Sequence, residues 1–243
     1  MRLTGVCVAM CSLLLASCAA MTVAIEKKDL DVQTRMSDSI ILPPVAPAQM
    51  SIWANVRNTS DRDLNIESLR SCLTAKGYRL VSDPNQAHYL LQANILQFGK
   101  NSPSAAREAL LGGYGGVLAG VGTGALIGGA AGGWSGAGYG ALAGGLLGGL
   151  IEAVANASVK DVTFTGITDV QILERSKQQI ARRESSAVRQ GSASTVQQSA
   201  ASTSDRFQYR TRVVSTANKV NLDYPEAQPQ IEQSLARVIC GVF

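Results

Sequence analysis

Hydrophobic positions fall into three regimes along the chain. Residues 6–16 form an apolar run behind a single basic residue, Arg2, while residues 109–151 carry no charged side chain at all. Everything else alternates or recurs as in a soluble domain. Ile52, Ala54 and Val56 alternate with Ser51, Trp53, Asn55 and Arg57, which predicts a half-buried strand. Asn58-Thr59-Ser60-Asp61 turns the chain, and Asp63 or Asn65 can cap a helix carrying Ile66, Leu69 and Leu73, closed by Gly77. Strands follow over 78–81 and 88–98, then over 162–172, with Gly166 as a bulge, and over 207–214. Pro225 or Pro229 opens a last helix with Ile231, Leu235, Val238, Ile239 and Val242 on one stripe. Residues 176–204, rich in Ser and Gln, are expected to be a solvated, mobile excursion between strands in preference to a partner-binding arm.

The first run has the length and layout of an export signal, too short to stay as a membrane span. It ends in Leu15-Ala16-Ser17-Cys18, which resembles the bacterial lipobox. That resemblance implies a signal peptide over 1–17, removed after acylation of Cys18, and Ala19 in place of aspartate implies sorting to the outer membrane. Several acyl chains anchor stably, each buried methylene adding about 0.8 kcal/mol. The covalent lipid on Cys18 is the one prosthetic group expected, with no cofactor and no metal.

The uncharged middle regime holds 18 of the chain's 24 glycines. Ten of them, Gly112, Gly116, Gly120, Gly124, Gly128, Gly132, Gly136, Gly140, Gly144 and Gly148, recur every four residues without a gap. A period of four puts them on one drifting stripe of a helix, and the residues between are aliphatic, unlike a flexible linker. Mid-helix glycine costs up to about 1 kcal/mol relative to alanine in water, so the pattern predicts close helix packing in an apolar medium. Residues 109–157 are therefore expected to form a glycine-zipper transmembrane α-helical hairpin, with its turn near Trp134, Ser135, Gly136 and Tyr139. Those four residues would then be the surface-recognition tip. Flanking segments 18–108 and 158–243 would make one discontinuous periplasmic α+β domain, and copies would assemble as a homo-oligomeric ring.

Charge, cysteine and motif content narrow the function classes. Only 16% of residues are charged, which argues against disorder, and the net charge is +4. The basic excess gathers in 159–219, where ten basic face five acidic residues, but aromatic interleaving typical of a nucleic-acid surface is missing. Cys7 and Cys11 lie within the signal, leaving Cys72 and Cys240, for which a disulfide and two buried thiols are both compatible with an oxidising compartment. With one histidine, His88, there is no credible triad or zinc set, and the Gly-x-Gly-x-x-Gly matches near Gly120 reflect glycine abundance alone. An enzyme is not expected.

Several segments carry a family resemblance. They are Leu15-Ala16-Ser17-Cys18, residues 24–34, Asn58-Thr59-Ser60-Asp61, Ala75-Lys76-Gly77-Tyr78, Leu91-Gln92-Ala93-Asn94, residues 167–172, Arg189-Gln190-Gly191 and the long run 209–222. Across essentially all of the mature chain the sequence resembles the TraT family of conjugative-plasmid outer-membrane lipoproteins. The resemblance implies a homo-oligomer in outer-membrane lipid, surface exclusion of redundant mating-pair formation, and resistance to complement. Its implied partners are other copies of the chain, an outer-membrane protein or a donor pilus or adhesin component, and complement components, with no nucleic acid. An oligomeric outer-membrane pore or an envelope structural protein is the competing reading.

Overall fold

The computed structural model describes residues 25–65, 67–116, 118, 160–190 and 194–243. Its frame is one six-stranded mixed sheet, made of β1 (Asp31–Met36), β2 (Ser51–Asn58), β3 (Arg79–Leu80), β4 (Tyr89–Lys100), β5 (Asp161–Gln190) and β6 (Ser194–Val220). The strands run in the order β1-β6-β5-β4-β2-β3. β1, β6, β5 and β4 are successively antiparallel, whereas β4, β2 and β3 are parallel. Parallel neighbours require a crossover, and α1 (Glu67–Ala75) supplies it between β2 and β3.

Helices cover both faces. On one, α1 and the C-terminal α3 (Tyr224–Gly241) press Leu69, Leu73, Leu235 and Ile239 onto Ile52, Leu91, Val170 and Ile172. On the other, α2 (Pro103–Gly112) sets Ala105, Ala106 and Ala109 against Ile167 and Val214. Its buried face is almost all alanine, so its backbone lies close to the strands. Local chemistry explains the helix ends. Asn65, not Asp63, accepts the Glu67 amide at 2.8 Å, Gly77 closes α1 at φ 89°, Ser102 caps α2, and Asp223 caps α3 ahead of Pro225. Cys72 of α1 and Cys240 of α3 form a disulfide across 168 residues of sequence.

Three sequence expectations are corrected. The irregularity expected at Gly166 sits instead on β4, between Ile95 and Gln97, and Gly166 pairs regularly with Phe98 and Ser215. Space is tight there, since a Cβ at 166 would stand 3.0 Å from Ile231 Cγ2 of α3, which would have to give way. Secondly, β5 and β6 do not end near 172 and 207. They continue as a two-stranded ribbon paired from Ile180↔Ser204 to Gln190↔Ser194, about 35 Å of extended chain at a strand rise near 3.3 Å, where a mobile excursion was expected.

The expected α+β domain interrupted by a glycine-zipper transmembrane helical hairpin in a homo-oligomeric ring gives way to a sheet-dominated fold, with three α-helices among the described residues. Among the described residues no helix is long and apolar enough to cross a membrane. The helix that enters the glycine block stops at Gly112, where Gly113 at φ 62° and Gly115 at φ 69° turn the chain away. These left-handed values end the run after one rung of the ladder. The chain is tied beside Asp169 at Gly115, and the described residues resume at Lys160, just before β5. Gly120 to Gly148, Trp134, Ser135, Gly136, Tyr139 and Cys18 lie outside the described residues.

Candidate functional site

The clearest concentration of buried charge lies where the glycine block departs. Arg212 of β6 is 1% exposed and pairs with Asp169 of β5, Nε to Oδ1 at 2.7 Å and Nη2 to Oδ2 at 3.1 Å. Strand pairing makes this geometry, because the two residues are direct partners across β5 and β6 and share the face under α2. A bidentate fork of this kind fixes orientation as well as charge. The remaining guanidinium donors bind backbone, Nη1 to the Ala109 carbonyl at 3.3 Å and Nη2 to the Gly116 carbonyl at 3.0 Å. Asp169 in turn accepts the Gly115 amide at 2.8 Å. Together the pair staples the end of α2 and the first turn of the glycine block to the sheet.

Side chains around the staple hold the turn from the outside. Tyr114 donates to Gln171 Oε1 at 3.3 Å, and the Arg210 guanidinium lies 5.1 Å from the centre of the Tyr114 ring. Gln171 Oε1 also accepts from Gln208 at 2.6 Å and Arg210 at 3.1 Å. At Gly116 a Cβ would fall 2.0 Å from the Gly112 carbonyl oxygen, so position 116 accepts only glycine in this turn. Gly112 and Gly116 were expected as successive rungs of one packing stripe. Here they make a backbone-on-backbone contact inside the clamp.

A second cluster clasps the root of the ribbon. Arg206 donates to the carbonyls of Pro84, Ala87 and His88, while Arg175 donates from its backbone to the His88 carbonyl at 2.9 Å and from its side chain to Asn85. The register of β5 and β6 shifts immediately afterwards, between Arg175 and Ile180. Buried Glu174 accepts the Tyr209 hydroxyl at 3.0 Å and lies 3.8 Å from His88 Nε2, which has no hydrogen-bond partner. Burial pushes the His88 pKa down, Glu174 opposes the shift, and the cations Arg175 and Arg206 add to it. Burial also raises the Tyr209 hydroxyl, helped by its bond to Glu174.

Neither cluster places a nucleophile beside a base in a cleft, and among the described residues no group of His, Cys, Asp and Glu could hold a metal ion. Sequence reasoning singled out His88 but missed Arg212, Asp169, Arg206 and Glu174. Their only signal was charge inside segments of strand pattern, since Tyr209-Arg210-Thr211-Arg212-Val213 gives no hint that both faces are covered.

These features define a class of protein: a mixed-sheet domain that clamps the base of a long uncharged glycine-rich segment on one side and projects a two-stranded ribbon from one end. The family model described as enterobacterial TraT complement resistance protein matches residues 29–243. A TraT complement resistance protein of Escherichia coli strain K12 is 38% identical over 234 residues, 96% of this chain and 94% of its own. Its counterpart in Wigglesworthia glossinidia brevipalpis is 26% identical over 236 residues, 94% of this chain and 91% of its own. The chain belongs to the TraT complement resistance protein family. The family's description names resistance to complement and no catalytic activity.

Proposed function

We propose that this chain is a lipid-anchored protein of the outer membrane that protects the cell surface from complement and excludes redundant conjugative mating. It works by binding and masking, without catalysis. Family membership across residues 29–243 is the observation that carries this reading. The Leu15-Ala16-Ser17-Cys18 run supports export and acylation at Cys18, and the Cys72–Cys240 disulfide suits an oxidising compartment.

Within that reading the glycine-rich segment is the acting part and the sheet domain its mount. The support is the Arg212–Asp169 staple, a buried ion pair that holds Gly115 and Gly116 in place. Trp134, Ser135, Gly136 and Tyr139 form the segment's recognition surface, with aromatic rings that offer large contact area at small entropic cost. Many copies on one cell face sum weak contacts by avidity, so no single contact has to be strong. The partner on the mating side is an outer-membrane protein or a donor pilus or adhesin component.

Recipient cells expressing wild type or a Trp134→Ala, Ser135→Ala, Tyr139→Ala triple variant, at matched surface level, test the recognition surface. Transconjugant frequency should fall with wild type and recover with the variant. Full exclusion by the variant removes those residues from the account and leaves family membership standing.

A further inference from the structure

On the α2 face of the sheet, beside β1, lies an open groove of about 550 Å³ that neither buried cluster uses. Lys27, Arg35 and Arg107 line it from three different elements, and none of their side chains has a hydrogen-bond or ion-pair partner among the described residues. The two carboxylates of the lining are already engaged by amides: Asp31 accepts from Gln33 at 2.8 Å and Asp161 from Asn218 at 2.6 Å. Three cations and two amide-bound carboxylates therefore share a concave surface that is net positive by one charge, with none of the three cations ion-paired among the described residues.

One large exposed aliphatic stands in the lining: Leu111, 76% exposed. Cations beside exposed aliphatics mark surfaces that sit in the headgroup layer of a bilayer, where the charge meets phosphate and the aliphatic side chain reaches the acyl boundary. A free anion or an acidic protein segment would leave Leu111 in water.

We propose that this groove binds the phosphate of an anionic phospholipid headgroup, with Arg35, Arg107 and Lys27 as the phosphate contacts and Leu111 inserted beside the acyl chains. The inference rests on the reading of Cys18 as an anchor for its orientation alone: Lys27 is nine residues from Cys18, which keeps the groove within about 30 Å of the anchor at full extension. Binding at the groove then turns a tether into a seated domain with one face on the membrane.

The test separates the two ideas by using the full chain with Cys18→Ser, which has no acyl anchor. Sedimentation with vesicles of phosphatidylcholine alone and of phosphatidylcholine with phosphatidylglycerol should show tighter binding to the anionic vesicles, weakened by salt. Arg35→Gln with Arg107→Gln should reduce the preference about 25-fold, at about fivefold per surface charge, and leave binding to neutral vesicles and the melting temperature unchanged. Arg35→Lys with Arg107→Lys should retain it. An unchanged preference in the Gln variant overturns the proposal. So does release of the protein by millimolar inorganic phosphate, which would make this a free-phosphate site, or by an acidic polypeptide at equal charge, which would make it a protein-docking surface. Palmitate labelling of the wild-type chain reports on Cys18 independently of these results.

Discussion

Arg212 and Asp169 show how much one residue pair can organise. A guanidinium that is 1% exposed persists because four hydrogen bonds satisfy it, two on Asp169 and two on backbone carbonyls of the departing chain. Asp169→Ala leaves that charge buried without its counter-ion and should cost about 3–5 kcal/mol in urea unfolding. Gly116→Ala should free the first turn of the glycine block from the sheet, since its Cβ cannot share space with the Gly112 oxygen. Proteolytic cleavage next to 116, faster in the variant than in wild type, is the readout. His88 makes a pH prediction. Its pKa is held below the ordinary value by burial, so the folded state favours the neutral ring. Its contribution is fully present above the unfolded value of about 6.5 and is lost as pH falls from there toward the lowered folded value, because the unfolded chain takes the proton first. Melting temperature should therefore drop between pH 7.5 and 5.5 more in wild type than in His88→Gln.

Elements were legible in the sequence where one face is wet and the other dry. β2, α1 and α3 follow the alternation and stripes that predict them, and Gly77 and Asn65 act as the stop and start signals they resemble. β1 and α2 were missed for a shared reason: Asp31–Met36 and Pro103–Gly112 hide weakly apolar contacts, Val32, Thr34 and three alanines, inside polar stretches. The ribbon was misread because its pattern is polar on both faces, leaving nothing for periodicity to register. It holds by backbone pairing continuous with a sheet, whereas a free two-stranded hairpin is marginal in water. Amide exchange should accordingly be much faster over 180–204 than over 161–174, where the same two strands are flanked by β4 and β1; equal protection would show that the ribbon has found a further partner. The α1–α3 bridge acts at the same scale. Closing 168 residues, the Cys72–Cys240 disulfide should contribute about 2–5 kcal/mol, measured as the stability lost in the Cys72→Ser, Cys240→Ser variant.

For the molecule as a whole, the ladder of glycines reads differently once its base is seen. The four-residue period suggested one continuous helical stripe, but α2 ends on the first rung and the chain is fixed there by a buried ion pair rather than by helix packing. Periodicity reports which side chains are small, whereas the φ values at Gly113 and Gly115 decide where a helix stops, and those depend on contacts with Arg212 and Asp169 far along the sequence. The sheet, the staple and the ribbon are thus the parts of this chain that stand around its uncharged glycine-rich segment. Protection of the cell from complement at its outer surface is the proposed role on which the rest depends. Survival in normal against heat-inactivated serum measures this directly, in otherwise identical serum-sensitive cells carrying the wild-type chain, the Cys18→Ser chain or neither. Wild type should raise survival in normal serum well above the empty cell, with Cys18→Ser close to the empty cell and all three equal after heat inactivation; equal killing of wild-type and empty cells in normal serum would contradict it.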